Sequence, residues 1–208
     1  MKNQKDFWKV NHTKLLGGYS DHHTTYAEEV VRTFPSHARV LDLGTGEGND
    51  AFYFAENGHT VVATDFLPEL LTIGKSRYSH KNLTFLEQDI SQPLKFATNE
   101  FDVVYARLSL HYFTNATTRG IFTEIARVLK PGGKFCFMCK SPDDRRYGQG
   151  VQIEPDMFDY NGHIRHFFSE DYARSLLAKD FTTELLQAGK EQLYAEVSAF
   201  TKVIATKK

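Results

Sequence analysis

One stretch constrains this chain more than any other. Arg39-Val40-Leu41-Asp42-Leu43 is a short apolar run that ends in Gly44-Thr45-Gly46-Glu47-Gly48. The run reads as a buried strand, and Asn49 to Glu56 follows as a helix, with Ala51, Phe52 and Ala55 on one face and Asn57-Gly58 as its stop. Three glycines at alternate positions let the backbone turn tightly and approach a ligand closely. The helix end behind them offers unpaired N–H groups and positive potential to an anion. A strand that turns straight into a helix at such a loop commits the chain to an α/β sheet with a binding site at the junction.

The same unit repeats downstream. Strands are expected at Thr60–Thr64, Leu83–Leu86, Phe101–Ala106 and Lys134–Met138. Helices are expected at Pro68–Tyr78 and at Ala116–Leu129, where Ile121, Phe122, Ile125, Ala126 and Leu129 recur at helical spacing before Lys130-Pro131-Gly132-Gly133 stops the run. Ser169 caps another helix that shows Tyr172, Ala173, Leu176 and Leu177 on one face. Thr182–Gln187 and Ala195–Ala205 read as two last strands. Their link is too short for a parallel crossover, so they should form an antiparallel hairpin at a sheet edge. Two segments fall outside the pattern. Residues 1–35 precede the first strand and carry a helix near Asp21–Phe34. Residues 140–168, rich in Asp, Arg, Gly and His, are expected to be an irregular connection.

The 208 residues suit one domain, divided as 1–35 N-terminal lid and helix, 36–139 ligand-binding core, 140–168 insertion, and 169–208 helix and hairpin. Lys plus Arg is 25 and Asp plus Glu is 26, with no basic stripe, so nucleic acid is a disfavoured partner. No apolar run is long enough to span a membrane, and Met1–Val10 lacks a signal-peptide core, so a cytoplasmic location is expected. Cys136 and Cys139 mimic a redox or metal pair, but three residues apart on a strand they point to opposite faces and should be structural. His163 and His166 lack companion ligands, so no metal is expected.

The glycine loop reads G-x-G-x-G, with Asn49 where a dinucleotide fingerprint has its third glycine. Asp42 at the strand end would repel a pyrophosphate and suits a ligand that carries positive charge. Val40 to Gly48 resembles the first motif of the class I S-adenosylmethionine-dependent methyltransferases. Asp65 at the end of the second strand, Gln88-Asp89-Ile90 after the third, Phe101 to Ala106 and Leu129 to Gly133 resemble the family's later motifs, in order, over about Thr33 to Met138. The resemblance implies a Rossmann-like, doubly wound sheet of seven strands in the order 3-2-1-4-5-7-6, with strand 7 antiparallel and helices on both faces. It implies S-adenosylmethionine as cofactor, held by Asp42, Gly44, Thr45, Gly46, Gly48, Asp65, Phe66, Asp89, Ile90, Ala106 and Arg107. Asp65 would accept from ribose hydroxyls, Asp89 from the adenine amino group, and the Ile90 N–H would meet an adenine ring nitrogen.

Acceptor residues are sought where the fourth and fifth strands end. The Asp/Asn-Pro-Pro-Tyr and Pro-Cys runs of DNA methyltransferases are absent. Leu110-His111-Tyr112-Phe113 and Arg165-His166-Phe167-Phe168 resemble the tellurite-resistance and ubiquinone-biosynthesis types. His111 is the candidate for orienting or deprotonating an acceptor, and Arg165 and His166 for holding an anionic one. Phe7-Trp8, Tyr19 and a Gly17-Gly18 hinge suggest a lid. The expected activity is methyl transfer to a small molecule by a monomer or weak homodimer. The alternatives are a cofactor-binding protein without catalysis and, disfavoured by Asp42, a nicotinamide oxidoreductase.

Overall fold

The apolar runs pair side by side as parallel strands. In the computed structural model, which describes residues 7–11, 22–193 and 196–208, β1 (Arg39–Leu43) lies between β2 (Thr60–Asp65) and β4 (Phe101–Arg107). β3 (Leu83–Glu87) flanks β2 and β5 (Leu129–Lys140) flanks β4, all parallel. Three short strands follow β5: β6 (Val151–Glu154), β7 (Met157–Tyr160) and β8 (His163–His166). The chain closes with β9 (Phe181–Leu193) and β10 (Glu196–Lys207), an antiparallel hairpin whose second strand pairs antiparallel with β5. The main sheet therefore runs β3-β2-β1-β4-β5-β10-β9, which is the expected 3-2-1-4-5-7-6 order with the last strand reversed.

Alternation along the strands builds a core on each face. Leu41, Leu43, Phe135 and Phe137 pack against Ile121, Phe122 and Ile125 of α4 (Asn115–Val128) and Leu176 of α5 (Glu170–Leu177). Val40, Tyr105 and Met138 face the other way, onto Tyr26 and Val30 of α1 (Thr25–Val31), Phe54 of α2 (Asn49–Glu56) and Leu71 of α3 (Pro68–Arg77). Each fully buried side chain of this size contributes about 1.5–3 kcal/mol. Cys139 belongs to the first core and Cys136 to the second, as the strand spacing requires, and burial pushes both thiols up, Cys136 to about 12. The helix starts are local. Thr24, Thr114 and Ser169 accept backbone N–H groups three residues on, and Pro68 occupies the first turn of α3.

Residues 140–168 correct the expectation of an irregular connection. β6, β7 and β8 form a separate antiparallel sheet. Its hairpins turn at Pro155-Asp156 and at Asn161-Gly162, where Asp156, Asn161 and Gly162 have φ of 57°, 55° and 87°. Asn-Gly with two positive φ values is the turn that matches strand twist, and it was readable in the sequence. The helix expected near Asp21–Phe34 is shorter, Thr25–Val31, and the terminal strands are longer. Asp21, Gly17-Gly18 and Tyr19 lie outside the described residues. Among the described residues no helix is long and apolar enough to cross a membrane.

Candidate functional site

A cavity of about 900 Å³ opens beyond the carboxyl ends of the parallel strands. It has two chemically distinct halves.

The first half is acidic and built by the glycine loop. Gly44, Gly46 and Gly48 all take positive φ, at 77°, 60° and 90°. A Cβ on Gly44 would overlap the Ser109 side chain at 2.4 Å, so this glycine lets β1 end against the loop after β4. A Cβ on Gly46 would meet nothing within 4 Å and would project into open space at the cavity wall. Gly48 starts α2, and its position is occupied by packing: a Cβ there would strike the Phe85 ring at 2.5 Å. Asp42 is buried in the cavity wall and accepts the Thr45 hydroxyl at 2.6 Å. Burial pushes its carboxyl up to about 8; the Thr45 bond opposes this, while Asp50 and Asp65 reinforce it. Asp65 accepts the Leu67 N–H on Oδ1 and the Gly46 N–H on Oδ2, both at 3.0 Å. Burial raises it to about 6 against those bonds. Asp89 accepts the Ser91 N–H and hydroxyl at 3.0 and 2.7 Å, and Phe66 and Ile90 line the same wall.

Asp50 is a site residue that sequence reasoning missed. It stands in the first turn of α2 and accepts the Thr24 N–H at 2.8 Å, the Thr24 hydroxyl at 3.0 Å and the Tyr105 hydroxyl at 2.7 Å. It thereby ties α1 and β4 to the glycine loop. A carboxylate in a first helical turn was the signal available.

The second half is basic and aromatic. Arg107 ends β4, and Leu108 then bends the chain with φ of 55°, a conformation that costs a leucine energy and is characteristic of functional turns. The bend delivers His111 and Tyr112 on a 3₁₀ turn, Leu110–Tyr112. His111 is buried, with no hydrogen-bond partner on Nδ1 among the described residues. Burial, then the charge of Arg165 and Lys140, holds its pKa well below the usual histidine range, so the imidazole is neutral. Lys140, at the end of β5, gives Nζ to Asp144 at 2.9 Å and sits 4.4 Å over the Phe200 ring. Its pKa falls to about 8, mainly by burial.

Strand alternation sorts the residues of β8. His163 and Arg165 line the cavity. His166, one residue on, turns the other way and packs on Tyr172 and Phe168 at ring distances of 4.4 and 5.5 Å. The structure thus brings His111 and Arg165 into the cavity and leaves His166 outside. Of the eleven residues expected to hold the cofactor, Gly48 and Ala106 also fail to line it, Ala106 because it points into the α4-side core. His163 is stacked between Phe7, at 4.3 Å, and Tyr112, at 5.5 Å, and Trp8 meets both His163 and Tyr112 edge-on. Phe7 and Trp8 therefore cover this half, with Trp8 in its lining. Among the described residues, no group of three or more side chains could hold a metal ion.

The family described as a methyltransferase domain matches residues 40–133. The chain is 37% identical over 161 residues to the uncharacterized methyltransferase sll0829 of Synechocystis sp., covering 76% of this chain and 70% of that protein. It is 32% identical over 121 residues to a ubiquinone/menaquinone biosynthesis C-methyltransferase of Zymomonas mobilis and spans 49% of it. A solved S-adenosylmethionine-dependent methyltransferase from Methanosarcina mazei superposes with a TM-score of 0.74 at 21% identity, over 86% of this chain and 96% of that one. The 1,6-didemethyltoxoflavin-N1-methyltransferase of Burkholderia thailandensis, solved with 1,6-didemethyltoxoflavin and S-adenosylhomocysteine, gives 0.72 at 22% identity, over 98% and 86%.

Proposed function

Because the chain belongs to the class I S-adenosylmethionine-dependent methyltransferases, we propose that it methylates a small molecule bound in the basic, aromatic half of the cavity. S-adenosylmethionine supplies a methyl group made electrophilic by its sulfonium. The residues present fit that cofactor in the acidic half. Asp42 is a buried carboxylate with one hydroxyl donor and no ion pair among the described residues, and a cationic group beside it would restore its charge. Gly46 leaves open space at the loop, and the α2 N-terminus behind it favours a carboxylate. Asp65 takes one backbone N–H on each oxygen, which leaves each with acceptor capacity for a ribose hydroxyl. Asp89 and the Ile90 N–H suit an adenine edge, while Phe66 and Leu67 supply apolar wall.

The observation that carries the acceptor reading is the division of one cavity into these two halves, with Phe7 and Trp8 roofing the second. A walled pocket accepts a small molecule more readily than a nucleic acid or a folded protein, and the net charge of -1 agrees. The 1,6-didemethyltoxoflavin held by the Burkholderia neighbour and the quinone-biosynthesis name of the Zymomonas relative support the same class. In this reading the protein aligns the acceptor and excludes water, and neutral His111 takes a proton from the accepting atom where one must leave. The reading includes a monomer or weak homodimer in a reducing compartment such as the cytoplasm, which suits two buried, unbridged cysteines.

The test is methyl-labelled S-adenosylmethionine incubated with the protein and with a cell extract divided into small-molecule and macromolecular fractions. Label should enter the small-molecule fraction with release of S-adenosylhomocysteine. Label confined to protein or nucleic acid would refute the small-molecule reading.

A further inference from the structure

The basic half of the cavity holds more cations than it neutralises. Lys140 is paired with Asp144 at 2.9 Å. Arg146 meets Glu196 at 2.8 Å, a carboxylate that Arg145 shares. Arg107, at the end of β4, lies within electrostatic reach of Asp42 and Tyr105. Arg165 lines the same wall, partly buried, and makes no ion pair and no hydrogen bond to any described residue. Asp144, the carboxylate that acts on it, is already engaged by Lys140. A cavity-facing guanidinium with no carboxylate on it is open to an anionic ligand. Two residues away on the same face of β8, His163 buries Nε2 with no hydrogen-bond partner, and His111 does the same with Nδ1. Two ring nitrogens of this wall are thus buried without a partner, and the Arg165 guanidinium in the same lining faces the cavity with no carboxylate on it.

We propose that the methyl acceptor is a monoanionic carboxylic acid whose carboxylate is held by the Arg165 guanidinium. This rests on the reading of the basic half as the acceptor site. A planar fork of N–H donors matches a carboxylate in two parallel hydrogen bonds. Lys140 has Asp144 to itself and Arg146 shares Glu196 with Arg145, so Arg165 is the guanidinium of this wall with no carboxylate on it; a single such fork suits a single carboxylate better than a phosphate monoester, which carries nearly two charges. The carboxylate is the anchor and not the methylated group, because a bidentate guanidinium draws away the electron density a nucleophile needs. The body of the acceptor then lies along Trp8, Tyr112 and His163, an aromatic wall that suits a ring or other apolar frame.

The experiment is calorimetric titration of the full chain, saturated with S-adenosylhomocysteine, with three matched probes: 4-hydroxybenzoate, 4-hydroxybenzamide and phenyl phosphate. The wild type should bind the benzoate about ten-fold tighter than the amide or more, the size of a charge-assisted hydrogen-bond pair. In Arg165→Gln the benzoate should fall to the affinity of the amide while S-adenosylhomocysteine binds unchanged. Arg165→Lys should keep part of the preference, since it retains the charge without the fork. Equal binding of benzoate and amide by the wild type, no binding of either, tighter binding of phenyl phosphate, or a preference that survives Arg165→Gln would each overturn the proposal. The wild-type comparison decides even if a variant misfolds. Failure of the wild type to bind S-adenosylhomocysteine at all would instead bring down the cofactor reading, and this proposal with it.

Discussion

Asp42→Asn should make the protein more stable and less able to bind its cofactor. The carboxyl rises from 3.8 to about 8 on folding, chiefly through burial. Between those values the folded chain keeps a proton that the unfolded chain has released, so stability falls as pH rises through this window. At pH 7 the unfolded group lies about three units above its own pKa, which makes the cost about 4 kcal/mol. Asparagine has the shape of the protonated carboxyl and can still accept the Thr45 hydroxyl. Its new amide N–H₂ is buried without an assigned partner, at a cost of about 1–3 kcal/mol. A net gain of about 1–3 kcal/mol remains at pH 7, or a Tm higher by roughly 3–10 °C for a chain of this length. At pH 5 the same arithmetic leaves a cost under about 2 kcal/mol, so the gain should vanish. Differential scanning calorimetry of both proteins at pH 5 and 7 reads this directly, since other carboxylates, such as Asp65, titrate alike in both. S-adenosylhomocysteine should raise the Tm of the wild type and not that of the variant. A variant less stable than the wild type at pH 7, with an unchanged pH slope, would refute the reasoning.

Asp65→Ala should weaken S-adenosylhomocysteine binding by about 1–3 kcal/mol, since a buried acceptor is lost, and unchanged affinity would sink the ribose assignment. Gly46→Val should abolish binding, because φ of 60° strains a β-branched residue and its side chain enters the open space at the loop; retained micromolar affinity would show that the loop does not hold the ligand. His111→Gln should leave cofactor affinity within about two-fold and lower turnover roughly 100-fold, by loss of a proton acceptor. Full turnover in that variant would leave alignment as the whole mechanism.

How much was legible in the sequence depended on how local each cause was. The strand-loop-helix unit at Val40 to Glu56 was readable because apolar spacing, alternate glycines and the Asn57-Gly58 stop all act within a few residues. The terminal hairpin was readable because its link is too short for a crossover. The placement of Cys136 and Cys139 on opposite faces followed from strand period alone. The sheet at β6, β7 and β8 was missed although Asn161-Gly162 marked it, because polar composition hid the alternation. The same oversight misplaced His166: once β8 is a strand, Arg165 and His166 cannot both face the cavity. Asp50 was less accessible to sequence reading, since its role comes from Thr24 and Tyr105, which only the fold brings to it. Lys140 was likewise hidden, its burial set by Phe200 and Asp144.

The central claim is that the acidic half of the cavity holds S-adenosylmethionine through Asp42, Asp65 and the glycine loop. Calorimetric titration of the purified chain with S-adenosylmethionine, S-adenosylhomocysteine and NAD tests it most directly. Micromolar binding of the first two, lost in Asp65→Ala, and no binding of NAD is the predicted result. Binding of NAD, or S-adenosylmethionine affinity indifferent to Asp42 and Asp65, would contradict it.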